Sequence, residues 1–455
     1  MSGINRRRFV KNIALATPLL LAPELFTSCN KLKVPKGSFS GKVIVIGAGT
    51  AGMVAAKLLT ERNVDVLVLE AASVHGGRVL PLNDFASFPV ELGAEEVHGH
   101  RTRWYQIVKD SNADFINEPG ENYYFLDSKV QLEKDIKNDA EVSKAFEMVD
   151  AMDTYSGGEI TAEQYSINNG ITARVKFIDN AQVGGEFGTS MERLSFSGIK
   201  TSNDLWSAGN SNYMIKNKSL LSVLDNYCSN MLSKIIYDTQ VVNIDSSQTK
   251  IILTDQNGAV YEADKVIITV PLTVLQQNII AFTPALPATK ISAINGIGMG
   301  AGMKIILKFD SAFWQNDLGS LFSDGVVPEY WPTALKKSSS DYLLTAFVMG
   351  SFAEYLSGQG SNAITLCLAQ LDAAYAGAAT AHFTDSHIID WSTQPFIGGA
   401  YSFPTQTSNQ PRKDLAASEN DKLYFAGEAT NTEGSFATVH GAVDSAFSVV
   451  EEILN

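Results

Sequence analysis

Cysteine is scarce. The 455 residues hold three, Cys29, Cys228 and Cys367, too few for a disulfide framework or a thiolate metal cluster, so no metal is expected. Positive charge is also in deficit, with 35 Lys and Arg against 49 Asp and Glu and a formal net charge of −14. That balance argues against nucleic acid as a partner and is compatible with cationic substrates, although acidity alone also serves solubility. There is no internal repeat, no coiled-coil heptad and no long block of one charge. The apolar stretch at residues 13–22 is too short to span a bilayer comfortably. What remains is an ordinary globular composition in a chain too long for one compact core, which points to two intimately packed domains.

The stretch that organises the chain is residues 42–70, KVIVIGAGTAGMVAAKLLTERNVDVLVLE. Residues 43–46 are an apolar run suited to a strand buried on both faces. Gly47-Ala48-Gly49-Thr50-Ala51-Gly52 then fits G-x-G-x-x-G. Gly47 makes the turn, Gly49 lets a pyrophosphate approach the backbone, and Gly52 lets helix and strand pack closely. The helix that begins here aims its free N–H groups at the phosphate. Residues 64–69 form a second strand closed by Glu70, 23 positions after Gly47, where a ribose hydroxyl would sit. An acid at that point disfavours a 2′-phosphate and leaves FAD or NAD. Next comes Ala71-Ala72-Ser73-Val74-His75-Gly76-Gly77-Arg78, which puts flexible backbone and a fixed positive charge near the pyrophosphate. NAD enzymes have no need of that second element, so it favours FAD.

With Glu91-Leu92-Gly93-Ala94-Glu95-Glu96-Val97-His98-Gly99 the chain resembles the flavin-containing amine oxidases: monoamine, polyamine and L-amino-acid oxidases. The resemblance covers residues 41–455. It implies that Gly93 and Ala94 lie against the flavin, that His98 faces the substrate, and that Lys304 holds a water against the flavin N5. Val241 would meet the adenine with its backbone, and Tyr401 would guide the amine. Gly427 and Glu428 end a strand at the cofactor, and Thr438 and Val439 open a helix whose N-terminus faces the flavin. Ala400 stands where monoamine oxidases carry a flavin-bonded cysteine, so FAD should be non-covalent. Two departures concern the substrate. Glu96 replaces a tryptophan, or the arginine of amino-acid oxidases, and Thr438 replaces the second ring of an aromatic cage.

The residues and the resemblance together set the expected organisation. The fold class is α/β (α+β overall), an FAD-binding Rossmann-like domain interleaved with a mixed sheet-plus-helix substrate domain. Residues 1–40 are an export signal and tether. Residues 41–105, 211–295 and 386–455 form the FAD-binding parts. Residues 106–210 are a helical insert, and 296–385 complete the substrate domain. Within these, residues 219–232 are expected as one helix, 235–244 as one strand and 296–309 as an alternating strand. The N-terminus carries Asn5-Arg6-Arg7-Arg8-Phe9-Val10-Lys11, which resembles a twin-arginine signal, before a short apolar stretch. Phe26-Thr27-Ser28-Cys29 looks like a loose lipoprotein box, so the protein is expected in the periplasm or lipid-anchored through Cys29.

The reaction implied is removal of a hydride equivalent from the carbon beside an amine, with oxygen as electron acceptor. The expected substrate is a small cationic amine, paired by Glu96 or Glu95. An L-amino-acid oxidase remains open if Arg174 or Arg193 supplies a carboxylate partner, as does a flavin desaturase or an exported flavoprotein without turnover.

Overall fold

The computed structural model describes residues 32–117 and 120–455, so the export motif and Cys29 lie outside the described residues. Strand Lys42–Ile46 occupies the centre of a five-stranded sheet, with its last four residues buried. Asp65–Leu69 and Lys265–Ile268 flank it in parallel, and Ile235–Ile236 and Leu423–Phe425 complete the sheet. Every pairing is parallel, the arrangement whose strands must be covered on both faces. Helices Thr50–Thr60 and Val439–Leu454 cover one face, where Val43, Val45, Leu58, Val443 and Val450 are fully buried together. On the other face Ile44, Val266 and Ile268 pack with Ile251 and Leu253 of a four-stranded sheet. Each such side chain contributes about 1.5–3 kcal/mol by leaving water.

A seven-stranded sheet forms the second body, in the order Phe383–Asp390, Gly302–Phe309, Tyr342–Met349, Glu329–Pro332, Leu318–Ser323, Glu121–Leu126, Lys129–Leu132. One register row crosses it: Lys304 opposes Phe347, Phe347 opposes Glu329, and Glu329 opposes Phe322. Directly opposed residues point to one face, so these four side chains share a surface.

Four local expectations change. Residues 235–244 are two strands, Ile235–Ile236 and Val241–Asp245, in different sheets. Asp238 between them adopts φ +52°, and the Asp238 and Thr239 amides donate to the carbonyls of Ala72 and Glu70. The loop after the second strand thus captures this backbone and breaks the run. The helix expected over 219–232 is Leu220–Tyr227, started by the Ser219 side chain. Residues 296–309 are two strands, Ile297–Met299 paired with Ser402–Pro404 and Gly302–Phe309 in the seven-stranded sheet, and the second does not alternate because both its faces are buried. The insert, helical for the most part, also holds the short strand Phe115–Ile116 and the hairpin Glu121–Leu126 and Lys129–Leu132, whose first strand pairs in parallel with Leu318–Ser323.

Candidate active site

A cavity of about 2090 Å³ is lined by residues of both the parallel sheet and the seven-stranded sheet. Pockets for small ligands run to about 1,000 Å³, so this one has room for a dinucleotide and a substrate together.

Its phosphate end is built by the glycine-rich turn. Gly47 takes φ +100°, and a Cβ on Gly52 would lie 2.0 Å from the Gly47 carbonyl oxygen. Gly52 therefore faces the strand and does not line the cavity, whereas Gly47, Gly49, Thr50 and Ala51 do. A Cβ on Gly49 would meet nothing within 4 Å, which leaves the helix N-terminus open to a ligand. Glu70 accepts the Ala48 amide at 2.6 Å and the Ala72 amide at 2.9 Å. Burial pushes its carboxyl above the ordinary range despite those donors, so further donors such as ribose hydroxyls fit there. Ala71, Gly77 and Val241 line the same end.

Arg78 and Glu428 lie on the cavity wall. The Arg78 guanidinium donates to the Ala400 carbonyl at 2.7 Å and to Glu428 Oε1 at 3.0 Å. Burial alone would raise the Glu428 carboxyl, but Arg78, Ser402, Arg412 and the Ala437 amide outweigh it and hold the acid below its usual range. Glu428 thereby pins strand Ser402–Pro404 and the entry to helix Val439–Leu454. Thr438 caps that helix, its hydroxyl accepting the Gly441 amide at 3.0 Å. Gly427, with φ +145° and open space where a Cβ would be, completes the cradle.

The far end gathers Gly93, Ala94, Lys304, Tyr401, Thr438 and Val439. Lys304 is buried and donates to the Glu91 carbonyl at 3.1 Å, the Gly93 carbonyl at 2.9 Å and Glu95 Oε2 at 2.8 Å. An ammonium has three N–H groups, and these three acceptors match them in number. Glu96 Oε2 and His98 Nδ1 lie 3.7 Å apart, and both residues line the cavity with Glu95. The Asn212 amide oxygen accepts from His98 Nδ1 at 3.0 Å while its nitrogen donates to Glu96 Oε2 at 3.5 Å. Tyr401 donates to the Gly185 carbonyl at 3.1 Å. Its ring lies where a Cβ on Gly188 would be, 2.2 Å from Cε2.

Several lining residues escaped sequence reading. Trp331, Phe347, Glu329 and Glu186 all face the cavity. Glu329 carried a faint signal, an acid inside the aromatic strand Glu329–Pro332. Glu186 carried none, since it follows a π-helical turn at Asn180–Gly185. Arg174 is instead bonded to Asp127, Asp139 and Glu141, and Arg193 to Glu354. Neither lines the cavity.

The model of the flavin containing amine oxidoreductase family matches residues 50–454. Polyamine oxidase 4 of Oryza sativa subsp. japonica is 28% identical over 90% of this chain and 88% of its own length. Lysine-specific histone demethylase 1 homolog 3 of Arabidopsis thaliana is 27% identical over 88% of this chain, which spans only 29% of that protein. Cyclohexylamine oxidase from Brevibacterium oxydans shares the fold, with a TM-score of 0.77 at 19% identity over 91% of this chain and 99% of that one. A triple mutant of putrescine oxidase gives the same TM-score, 0.77, at 18% identity, covering 91% and 98%. The Rossmann-like cradle accepts FAD without a covalent link, for Ala400 offers no nucleophile and the described cysteines, Cys228 and Cys367, are buried away from the cavity. By the extent of the family match and by the cofactor cradle, the chain belongs to the flavin-containing amine oxidoreductases, enzymes that act on amines with FAD.

Proposed function

We propose that the substrate is a diamine or polyamine, oxidised at the carbon beside one nitrogen while a second, charged nitrogen is held by a carboxylate. The observation that carries this is the register row. Glu329, 5% exposed, lies two strands from Lys304 on the same face, about 10 Å away at ordinary strand spacing. Ser320 Oγ donates to Glu329 Oε1 at 2.8 Å, and Glu329 lines the cavity. Phe347 lies between them, an apolar floor for a methylene chain. Neither Arg174 nor Arg193 reaches the cavity to receive a substrate carboxylate, which counts against an L-amino acid.

FAD, when bound, would supply hydride-acceptor chemistry at the carbon next to the amine; the organic product would be an imine that hydrolyses to an aldehyde and ammonia or an amine, with oxygen as final acceptor giving hydrogen peroxide. The chain's residues prepare the amine. Trp331, Phe347 and Tyr401 desolvate it and favour its neutral form. His98 is placed to take up the proton it gives up, with Asn212 fixing its ring. Glu329, and Glu96 for the other arm, pair the nitrogen that stays charged.

Glu329→Gln should raise KM for diamines roughly tenfold or more, the worth of about one charged hydrogen bond, and change KM for monoamines of equal length less than about twofold. Peroxide release on a panel of both classes measures it. Equal effects on the two classes, or turnover of an L-amino acid alone, would defeat the proposal. We also propose export by the twin-arginine route with a lipid anchor at Cys29, supported by the arginine motif and the cysteine after Ser28. No helix among the described residues is long and apolar enough to cross a membrane.

A further inference from the structure

The Lys304–Glu95 pair is unusual for what it closes off. Both side chains are nearly buried, at 5% and 7% exposure, with 2.8 Å between Nζ and Oε2. The ammonium spends its other two donors on the carbonyls of Glu91 and Gly93. Those carbonyls flank Leu92, and the second belongs to the Gly93–Ala94 peptide that lines the cavity. Glu95 Oε1 is buried with no hydrogen-bond partner. Its carboxylate is therefore committed to Lys304 without a competing donor, and the neighbouring Glu96 is turned away toward His98 and Asn212. Behind the pair stand Glu91 and the half-buried Lys337, whose ammonium lies 4.3 Å from the Phe88 ring centre.

A bare lysine at this place would present a conflict. The substrate proposed above arrives as a cation, and a buried, unpaired ammonium beside the reacting carbon would repel it. A partner carboxylate removes that repulsion while keeping a lysine in the wall. The sequence itself pointed to Glu96 as the acid that matters to the ligand. Both acids line the cavity, and the structure gives them different partners: Glu96 lies beside His98 and Asn212, and Glu95 is bonded to Lys304.

We propose that Glu95 is a positioning residue for the amine reaction, holding Lys304 as a closed, neutral ion pair so that the flavin end of the cavity presents no net positive charge. This rests on the reading of the cavity as the FAD and amine site. Removing the Glu95 charge leaves Lys304 as a free cation, which draws anions to the bound flavin and repels amines. Removing Lys304 leaves a free carboxylate and does the reverse.

The test uses holoprotein and sulfite, an anion that adds reversibly to oxidised flavin and bleaches its absorbance. Glu95→Gln should lower the sulfite Kd at least tenfold, and Lys304→Met should raise it at least tenfold. The double variant should return to within about threefold of wild type, since it too leaves no net charge at the pair. KM for amines should rise in Glu95→Gln. An unchanged or higher sulfite Kd in Glu95→Gln overturns the proposal, as do two single variants that shift the same way. If Glu95→Gln does not fold, the sign of the Lys304→Met shift decides. A wild-type protein that takes up no FAD overturns the reading of the site; a yellow protein indifferent to the charge at position 95 overturns only this inference.

Discussion

At the scale of single residues, Glu91 shows how the fold works against one carboxylate. Its Oε1 accepts the Leu220 amide at 2.6 Å, at the start of helix Leu220–Tyr227. Its Oε2 is buried with no hydrogen-bond partner. Burial pushes the acid from 4.5 to about 7, with the Leu220 amide, Lys337 and Lys304 opposing and Glu95 adding to the rise. For an acid raised in the folded state, the stability it contributes is full below the unfolded value. It is lost as pH rises through the folded one. The window here runs from about pH 4.5 to above pH 7. Glu91→Gln keeps an oxygen for Leu220 and removes the titration. We expect it to be more stable than wild type at pH 8 by on the order of 3 kcal/mol, with the gap closing toward pH 5. Urea unfolding across that range measures it, and parallel curves for the two proteins would refute the assignment. The sequence shows Glu91 only as a motif residue; its burial depends on Leu220, 129 positions away.

At the scale of elements, the strand, turn and helix from Lys42 to Thr60 form one tightly fitted unit. The Gly52 hydrogen occupies a gap in which a Cβ would press 2.0 Å from the Gly47 carbonyl and 2.8 Å from Thr269 Oγ1. The carbonyl is backbone and cannot swing aside. Gly52→Ala should therefore push the helix off the strand, costing about 1–3 kcal/mol as overpacking, and should weaken FAD binding at least tenfold because the phosphate cradle moves with the helix. Thermal unfolding of the apoprotein and a fluorescence titration with FAD read the two effects. Wild-type values in both would mean that the contact is relieved elsewhere. This unit was legible in the sequence because its contacts are local and its glycines are spaced by the geometry they serve. The segment at 235–244 was not. Its apolar pattern supports one strand, but the amides of Asp238 and Thr239 are taken by Ala72 and Glu70 from a distant part of the chain.

At the scale of the whole molecule, three separated stretches supply strands to the parallel sheet, and the seven-stranded sheet is assembled from segments on either side of the second of them. Such a chain completes its cofactor cradle only when its C-terminal helix Val439–Leu454 docks on Thr50–Thr60. Under the export proposal, folding and FAD loading would precede transport. Replacing Arg6 and Arg7 with lysine should leave FAD-loaded protein in the cytoplasm, detected by fractionation and flavin absorbance. Normal export of that variant would point to another route. Cys29→Ser should release the protein from membranes if the thiol is acylated.

The sequence by itself determined the dinucleotide cradle, the family and the non-covalent flavin. Each of these depends on residue type at short spacing: glycine where a Cβ would clash or block a phosphate, an acid at the end of the second strand, alanine where a thiol would be required. It also determined that Glu96 and His98 share a side, because an extended backbone alternates. Only the tertiary structure decided which partners the charged residues take. Lys304 closes onto Glu95 across 209 positions, and Glu329 reaches the site through register between strands. Arg174 and Arg193 are bound to carboxylates outside the cavity. The physical reason is common to all of them. A buried charge must find its counter-charge in space, and the spacing of residues along a chain does not record which distant strand or loop will bring it.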